Sequence, residues 1–203
     1  MSIADGVRLF EHADRTAWQH AYDTYPTVIA AQGSTDLAEL DRWYREELPT
    51  RVQERTPPTI DLEELSLIVR WKMKRGEWRA RNLALVRANA PELVDSCART
   101  AFATGLAPRR ALSAFCELGG VGPATASAVL AIARPLEFPF LDDLVGAAIP
   151  AAGKPAFTVG YYFKYADALI QKATELGAPW SAQSVGLALW SAIGGKVVLT
   201  THP

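Results

Sequence analysis

Leu118-Gly119-Gly120-Val121-Gly122-Pro123-Ala124-Thr125-Ala126 lies between two amphipathic stretches, Pro108 to Leu118 and Pro123 to Ala133. Glycines at 120 and 122 let the backbone turn tightly with positive φ. Val121 buries its side chain as a plug between the two helices, and Pro123 suits the first turn of the second. The amides at that second N-terminus are then free to meet a phosphate. A tight connection between packed helices is the plainer reading of the same glycines.

Working outward, helix follows helix, and no run of four or more residues alternates cleanly enough for a strand. Arg15 to Ala31, with Trp18, Tyr22 and Tyr25 on one stripe, and Leu37 to Leu48, with Leu37, Leu40, Tyr44 and Leu48, are expected amphipathic helices. Asp61 and Glu64 form a capping-box start for a helix to Arg75, closed by Gly76. Trp78 to Ala88, Pro91 to Ala103, a start at Asp142 or Asp143, Thr158 to Leu176 and a last helix capped by Ser181 complete the series. The breaks at Arg55 to Pro58 and Pro150 to Pro155 do not separate independent cores. The expectation is one all-α, bilobed unit over residues 1–203, with the segments 1–55 and 156–203 packed together.

Composition agrees with helix: 34 of 203 residues are alanine, and β-branched residues are sparse. The 21 Lys and Arg against 22 Asp and Glu leave a net charge of -1, so any anion-binding surface must be local. Cys97 and Cys116, the only cysteines, rule out a disulfide framework, a four-thiolate zinc site and a four-cysteine iron–sulfur cluster. With no signal-like start and no long apolar run, no membrane partner is expected. The expected location is a reducing cytoplasm, at the nucleoid if bacterial, or the nucleus if eukaryotic.

The hairpin resembles the helix-hairpin-helix of the HhH-GPD superfamily of DNA glycosylases, usually worded L-P-G-V-G-x-x-T-A, with Gly119 here in place of the proline. About 20 residues on, where that family places a catalytic aspartate, stands Phe138-Pro139-Phe140-Leu141-Asp142-Asp143-Leu144-Val145, similar to the F-P-x-L-D-x-x-V of adenine-specific mismatch glycosylases. Arg70-Trp71-Lys72-Met73-Lys74-Arg75-Gly76-Glu77-Trp78, together with the hairpin, also resembles a poorly characterised helix-hairpin-helix family. The resemblance implies the bilobed HhH-GPD-like fold and a role in base-excision repair. A carboxylate there stabilises the oxocarbenium-like charge as a glycosidic bond breaks. The D-x-x-V spacing favours Asp142 and the double-aspartate pattern Asp143, whereas ordinary helix capping explains an acidic pair without any chemistry. Ala124 occupies the position of the Schiff-base lysine of bifunctional members, so the implied enzyme is monofunctional. A non-catalytic DNA-binding or interaction module is the alternative. No cofactor is implied as a requirement, and no iron–sulfur cluster. Hairpins of this superfamily often hold potassium or sodium on backbone carbonyls, here those of Leu118 and Val121. The implied partner is duplex DNA, damaged or abasic, bound by a monomer.

Arg70 to Arg81 carries six basic residues against one acid, Glu77. Arg70 and Lys74 share a helical face, and Trp71 and Trp78 bracket the cluster, as stacking platforms or as core anchors. A solvated basic helix end is the plainer reading. Expected DNA contacts are thus Gly120, Val121, Gly122, Ala124 and Thr125 of the hairpin with Arg70, Lys72, Lys74, Arg75, Arg79 and Trp78. Arg109 and Arg110 add to the same surface or simply solvate a first turn. His12 and His20, eight apart, and His202 near the end make no metal-ligand pattern. Both cysteines read as small apolar packing groups.

Overall fold

The computed structural model describes residues 1–34 and 36–196; His202 lies outside them. The described chain is helical, with no strand among these residues. Its helices are α1 (Ile3–His12), α2 (Arg15–Asp23), α3 (Tyr25–Ala30), α4 (Leu37–Arg42), α5 (Leu48–Glu54), α6 (Leu62–Arg75) and α7 (Ala80–Arg87). Then follow α8 (Pro91–Phe102), α9 (Pro108–Cys116), α10 (Pro123–Ala133), α11 (Asp143–Ala147), α12 (Val159–Leu176) and α13 (Ala182–Ile193). A π-helical turn, Trp43–Glu47, joins α4 to α5. No helix among the described residues is long and apolar enough to cross a membrane.

The centre of the molecule is α10. Its sequence, PATASAVLAIA, has no charged residue and no polar face, and every residue from Ala124 to Ile132 is buried. It packs on α5, α6, α8, α9 and α12. The equally apolar α13 lies against α1, α2, α3, α11 and α12, whereas α4 packs on α6. Side-chain caps set the helix starts: Asp61 and Glu64 form the reciprocal box ahead of α6, Thr158 caps α12 and Ser181 caps α13. Each such cap is worth about 1 kcal/mol.

Three local differences from the sequence reading have plain causes. Arg15 to Ala31 is two helices, because Pro26 has no N–H to continue the ladder and its ring crowds the carbonyl of Tyr22. The helix expected from Trp78 starts only at Ala80, since Gly76 and Arg79 both have non-helical backbone conformations. The sequence reading names no helix before Arg15, yet Ile3–His12 is one, capped by Ser2.

Candidate functional site

The hairpin between α9 and α10 closes with the Val121 amide donating to the Leu118 carbonyl at 3.1 Å. Gly120 has φ +76°, and a Cβ there would stand 2.6 Å from the Asn82 carbonyl oxygen, so the turn is pressed onto the α7 backbone. Gly122, contrary to the expectation of positive φ, has φ -105° and ψ -176°, an extended conformation that suits the residue before a helix. Gly119 donates its amide to the Asn89 side chain at 2.8 Å and accepts from it at 3.0 Å. A proline at this position would lose that donor, which accounts for its absence here. Val121 is the buried plug, so its side chain does not meet a ligand.

The second half of the site is fixed by unusually many bonds to one extended segment. Phe140 donates its amide to Gln183 of α13 at 2.8 Å, and its carbonyl accepts from Tyr165 of α12 at 2.7 Å. Leu141 donates its amide to the Ser127 hydroxyl of α10 at 3.0 Å. These bonds deliver Asp142 and Asp143 to the start of α11, opposite the hairpin.

Between the two halves opens a cleft of about 310 Å³, within the size range of small-ligand sites. Gly120, Gly122, Pro123, Ala124 and Thr125 form one wall, and Phe140, Leu141, Asp142, Asp143 and Leu144 the other. Lys72, Arg75, Arg79 and Lys196 contribute its cations, with Glu77 and Asn82 at the edge. Among the described residues the amides of Gly120, Gly122 and Ala124 have no protein acceptor, whereas Thr125 donates to the Gly122 carbonyl. Fewer amides are therefore free at this helix start than the hairpin pattern suggests.

The two aspartates have separate roles. Asp142 is 7% exposed; its Oδ1 accepts the amides of Leu144 and Val145, and its Oδ2 accepts from Arg75 at 3.1 Å. Burial pushes its carboxyl above the ordinary value, opposed by the Arg75 charge. Asp143, in the first turn of α11, is exposed to the cleft and makes no ion pair among the described residues.

The basic segment is divided by the helix it sits on. Arg70 and Lys74 do share a face, but it is turned away from the cleft, and both pair with Asp36. Arg75 corrects the surface reading most sharply: it is 3% exposed. Its guanidinium donates to Tyr25 at 2.6 Å and to Asp142, and it sits 4.2 Å from the ring centre of Trp190, with Trp71 and Phe140 also around it. Tyr25 in turn donates to Asp41, which also accepts from Trp71 and Arg45. Arg75 is thus the floor of the cleft and the counterion of Asp142, not a free DNA contact.

The two tryptophans of the segment part company. Trp71 is fully buried, stacked on Tyr44 with ring centres 3.7 Å apart. Trp78 is 52% exposed but does not line the cleft, although its chain neighbours Glu77 and Arg79 do. Arg109 and Arg110 do not line the cleft; Arg109 lies over the Phe163 ring instead.

Three lining residues escaped the sequence reading: Asn82, Phe157 and Lys196. Phe157 is 54% exposed just before the Thr158 cap, a large apolar side chain that a helix entry does not need. Lys196 follows two glycines after α13 and donates to the Gly76 carbonyl at 2.8 Å, which brings the end of the described chain to the cleft. No group of three or more metal-ligating side chains occurs among the described residues. His12 and His20, both exposed, border a separate open groove with Leu9 and Ala21. Compared with protein-family models, curated proteins and solved structures, the chain matches none of them.

Proposed function

We propose that this chain is a DNA-binding protein of base-excision-repair type on a bilobed, HhH-GPD-like helical fold, and that its cleft is a monofunctional glycosylase site. One observation carries the reading: a hairpin and an acidic pair some twenty residues apart face each other across a cleft that also holds Lys72, Arg79 and Lys196. Hairpin amides and cations suit a phosphate backbone. Exposed Trp78 and Phe157 suit stacking on bases that flank an extruded nucleotide.

Asp143 is the catalytic carboxylate in this reading. It is open to the cleft, where its charge would stabilise the oxocarbenium-like sugar and orient a water towards C1′. Asp142 positions it, because both of its oxygens are already engaged by backbone amides and Arg75. The Leu118 carbonyl is already an acceptor of the Val121 amide. A potassium or sodium ion on the Leu118 and Val121 carbonyls would share it, and the chemistry above does not depend on that ion.

The test is base release from a panel of duplexes carrying deaminated, alkylated, oxidised or mismatched bases. Activity on one of them that Asp143→Asn abolishes while duplex affinity is retained is the expected result. Activity unchanged in Asp143→Asn contradicts the assignment, and absence of base release with affinity retained favours the non-catalytic DNA-binding module.

A further inference from the structure

Three tyrosines of α12 meet the stretch of chain that carries the acidic pair. Tyr162 donates its hydroxyl to the Pro139 carbonyl at 3.3 Å, and Tyr165 donates to that of Phe140 at 2.7 Å. Tyr161 differs. It is 7% exposed, and its hydroxyl lies against Gly146 of α11, buried and without a hydrogen-bond partner among the described residues. A buried hydroxyl left unpaired is destabilising, and native structures keep few of them.

The hydroxyl is held there from both sides. The Tyr161 amide donates to the Thr158 cap at 3.2 Å, which fixes the residue in the first turn of α12. On the other side, a Cβ at Gly146 would collide with the hydroxyl oxygen, so glycine alone leaves room for it. A glycine weakens so short a helix, and what it admits is the Tyr161 hydroxyl. Asp143 lies three residues before Gly146, one turn away along α11. Its carboxylate makes no hydrogen bond or ion pair among the described residues. Burial raises the Tyr161 phenol and the Asp143 charge raises it further, so the phenol keeps its proton at neutral pH and is available as a donor. An unpartnered donor and an unpartnered carboxylate are thus neighbours.

We infer that Tyr161 is a positioning residue for Asp143: once a ligand fills the cleft, its hydroxyl donates to one carboxylate oxygen and leaves the other turned towards the sugar. The inference rests on Asp143 being the carboxylate of the site proposed above. In the open cleft Asp143 is exposed and water solvates it. A sugar seated beside Phe157 and Leu144 expels that water, and a carboxylate stripped of water needs another donor. The Tyr161 hydroxyl is the unengaged donor beside it. A bond from a phenol to a carboxylate is charge-assisted and short, so it fixes the oxygen that it holds. Tyr161 itself lies behind α11 and does not line the cleft, so it acts through Asp143 and does not touch the ligand.

The test uses two duplexes, one with a tetrahydrofuran site and one with a pyrrolidine site, whose ring nitrogen is positively charged close to where the sugar develops charge. The ratio of the two affinities reads how well a carboxylate is set against that charge, and any general loss of binding cancels from it. The unmodified chain is expected to prefer the pyrrolidine duplex, and Asp143→Asn to lose that preference. Tyr161→Phe is expected to reduce the ratio by about tenfold, the effect of losing a hydrogen bond to a charged group. In the Asp143→Asn background Tyr161→Phe is expected to add nothing, as a residue that acts through Asp143 requires. The variant removes only an unpartnered oxygen from the free protein, so its melting temperature is expected to be unchanged or higher. A lower one shows that the hydroxyl already serves the fold and overturns the inference. A preference lost in Asp143→Asn but kept in Tyr161→Phe also overturns it and leaves the site reading standing, and so does a Tyr161→Phe effect that persists without the Asp143 carboxylate. A preference that Asp143→Asn leaves intact, or none in the unmodified chain, removes the reading of Asp143 itself, and the inference falls with it.

Discussion

Arg75 is the residue on which the site's geometry most depends. Its guanidinium is enclosed by aromatic rings, its charge is balanced by Asp142, and Asp41 and Arg45 extend the same network through Tyr25. Removing one partner of a buried pair strands the other charge, so Arg75→Met is expected to lower unfolding free energy by about 3–5 kcal/mol, measured by urea denaturation. The pH dependence has a definite sign. Burial already raises the Asp142 carboxyl and Arg75 opposes that rise, so the variant raises it further. A raised carboxyl is favoured in the folded state when protonated, and its contribution is lost as pH rises through the folded value. The deficit of Arg75→Met is therefore largest near neutrality and shrinks as pH falls into the carboxylate range. A deficit that does not vary with pH would show that Asp142 is not the group stranded. From sequence, Arg75 looked like one more cation in a basic run. Only the packing of α3, α11 and α13 around it makes it a core residue, and those elements are distant from it in the chain.

At the scale of elements, the hairpin separates two glycines that the sequence treats alike. Gly120→Ala places a side chain at φ +76° and 2.6 Å from the Asn82 carbonyl oxygen. Backbone strain alone costs about 1–3 kcal/mol there. Gly122→Ala meets open space at an ordinary φ, and the weaker cap costs less than about 1 kcal/mol. Thermal melts of the two variants measure the difference, and equal losses would mean that the hairpin does not rest on α7. Most helices were legible because their signals are local: the Asp61 and Glu64 box, the Thr158 and Ser181 caps, Pro123 at a first turn. Asp142 and Asp143 were legible as a helix start, but their place opposite the hairpin was expected only from the resemblance and not from any local physical signal. Lys196 and Phe157 were not, because nothing local marks a residue whose position comes from α12 and α13 folding back against the first half of the chain. The face on which Arg70 and Lys74 lie was legible, but its neighbour, Asp36, was not.

For the whole molecule, a net charge of -1 makes the placement of cations more telling than their number. Arg70 and Lys74 share one counterion, Asp36, away from the cleft, whereas Lys72, Arg79 and Lys196 line it. Removing one cation that neutralises a phosphate reduces the slope of log affinity against log salt by about 0.9 on duplex DNA. Lys196→Gln and Arg79→Gln are therefore expected to flatten that slope, and Arg70→Gln and Lys74→Gln to leave it nearly unchanged; the reverse pattern would move the DNA to the α4–α6 face. The most direct measurement is the affinity of the unmodified protein for a duplex with a single tetrahydrofuran site beside the undamaged duplex, at low and at physiological salt. Tighter binding to the abasic duplex, surviving at physiological salt, is what a cleft built for an extruded sugar predicts. Equal affinity for both duplexes, or binding to neither, would contradict it.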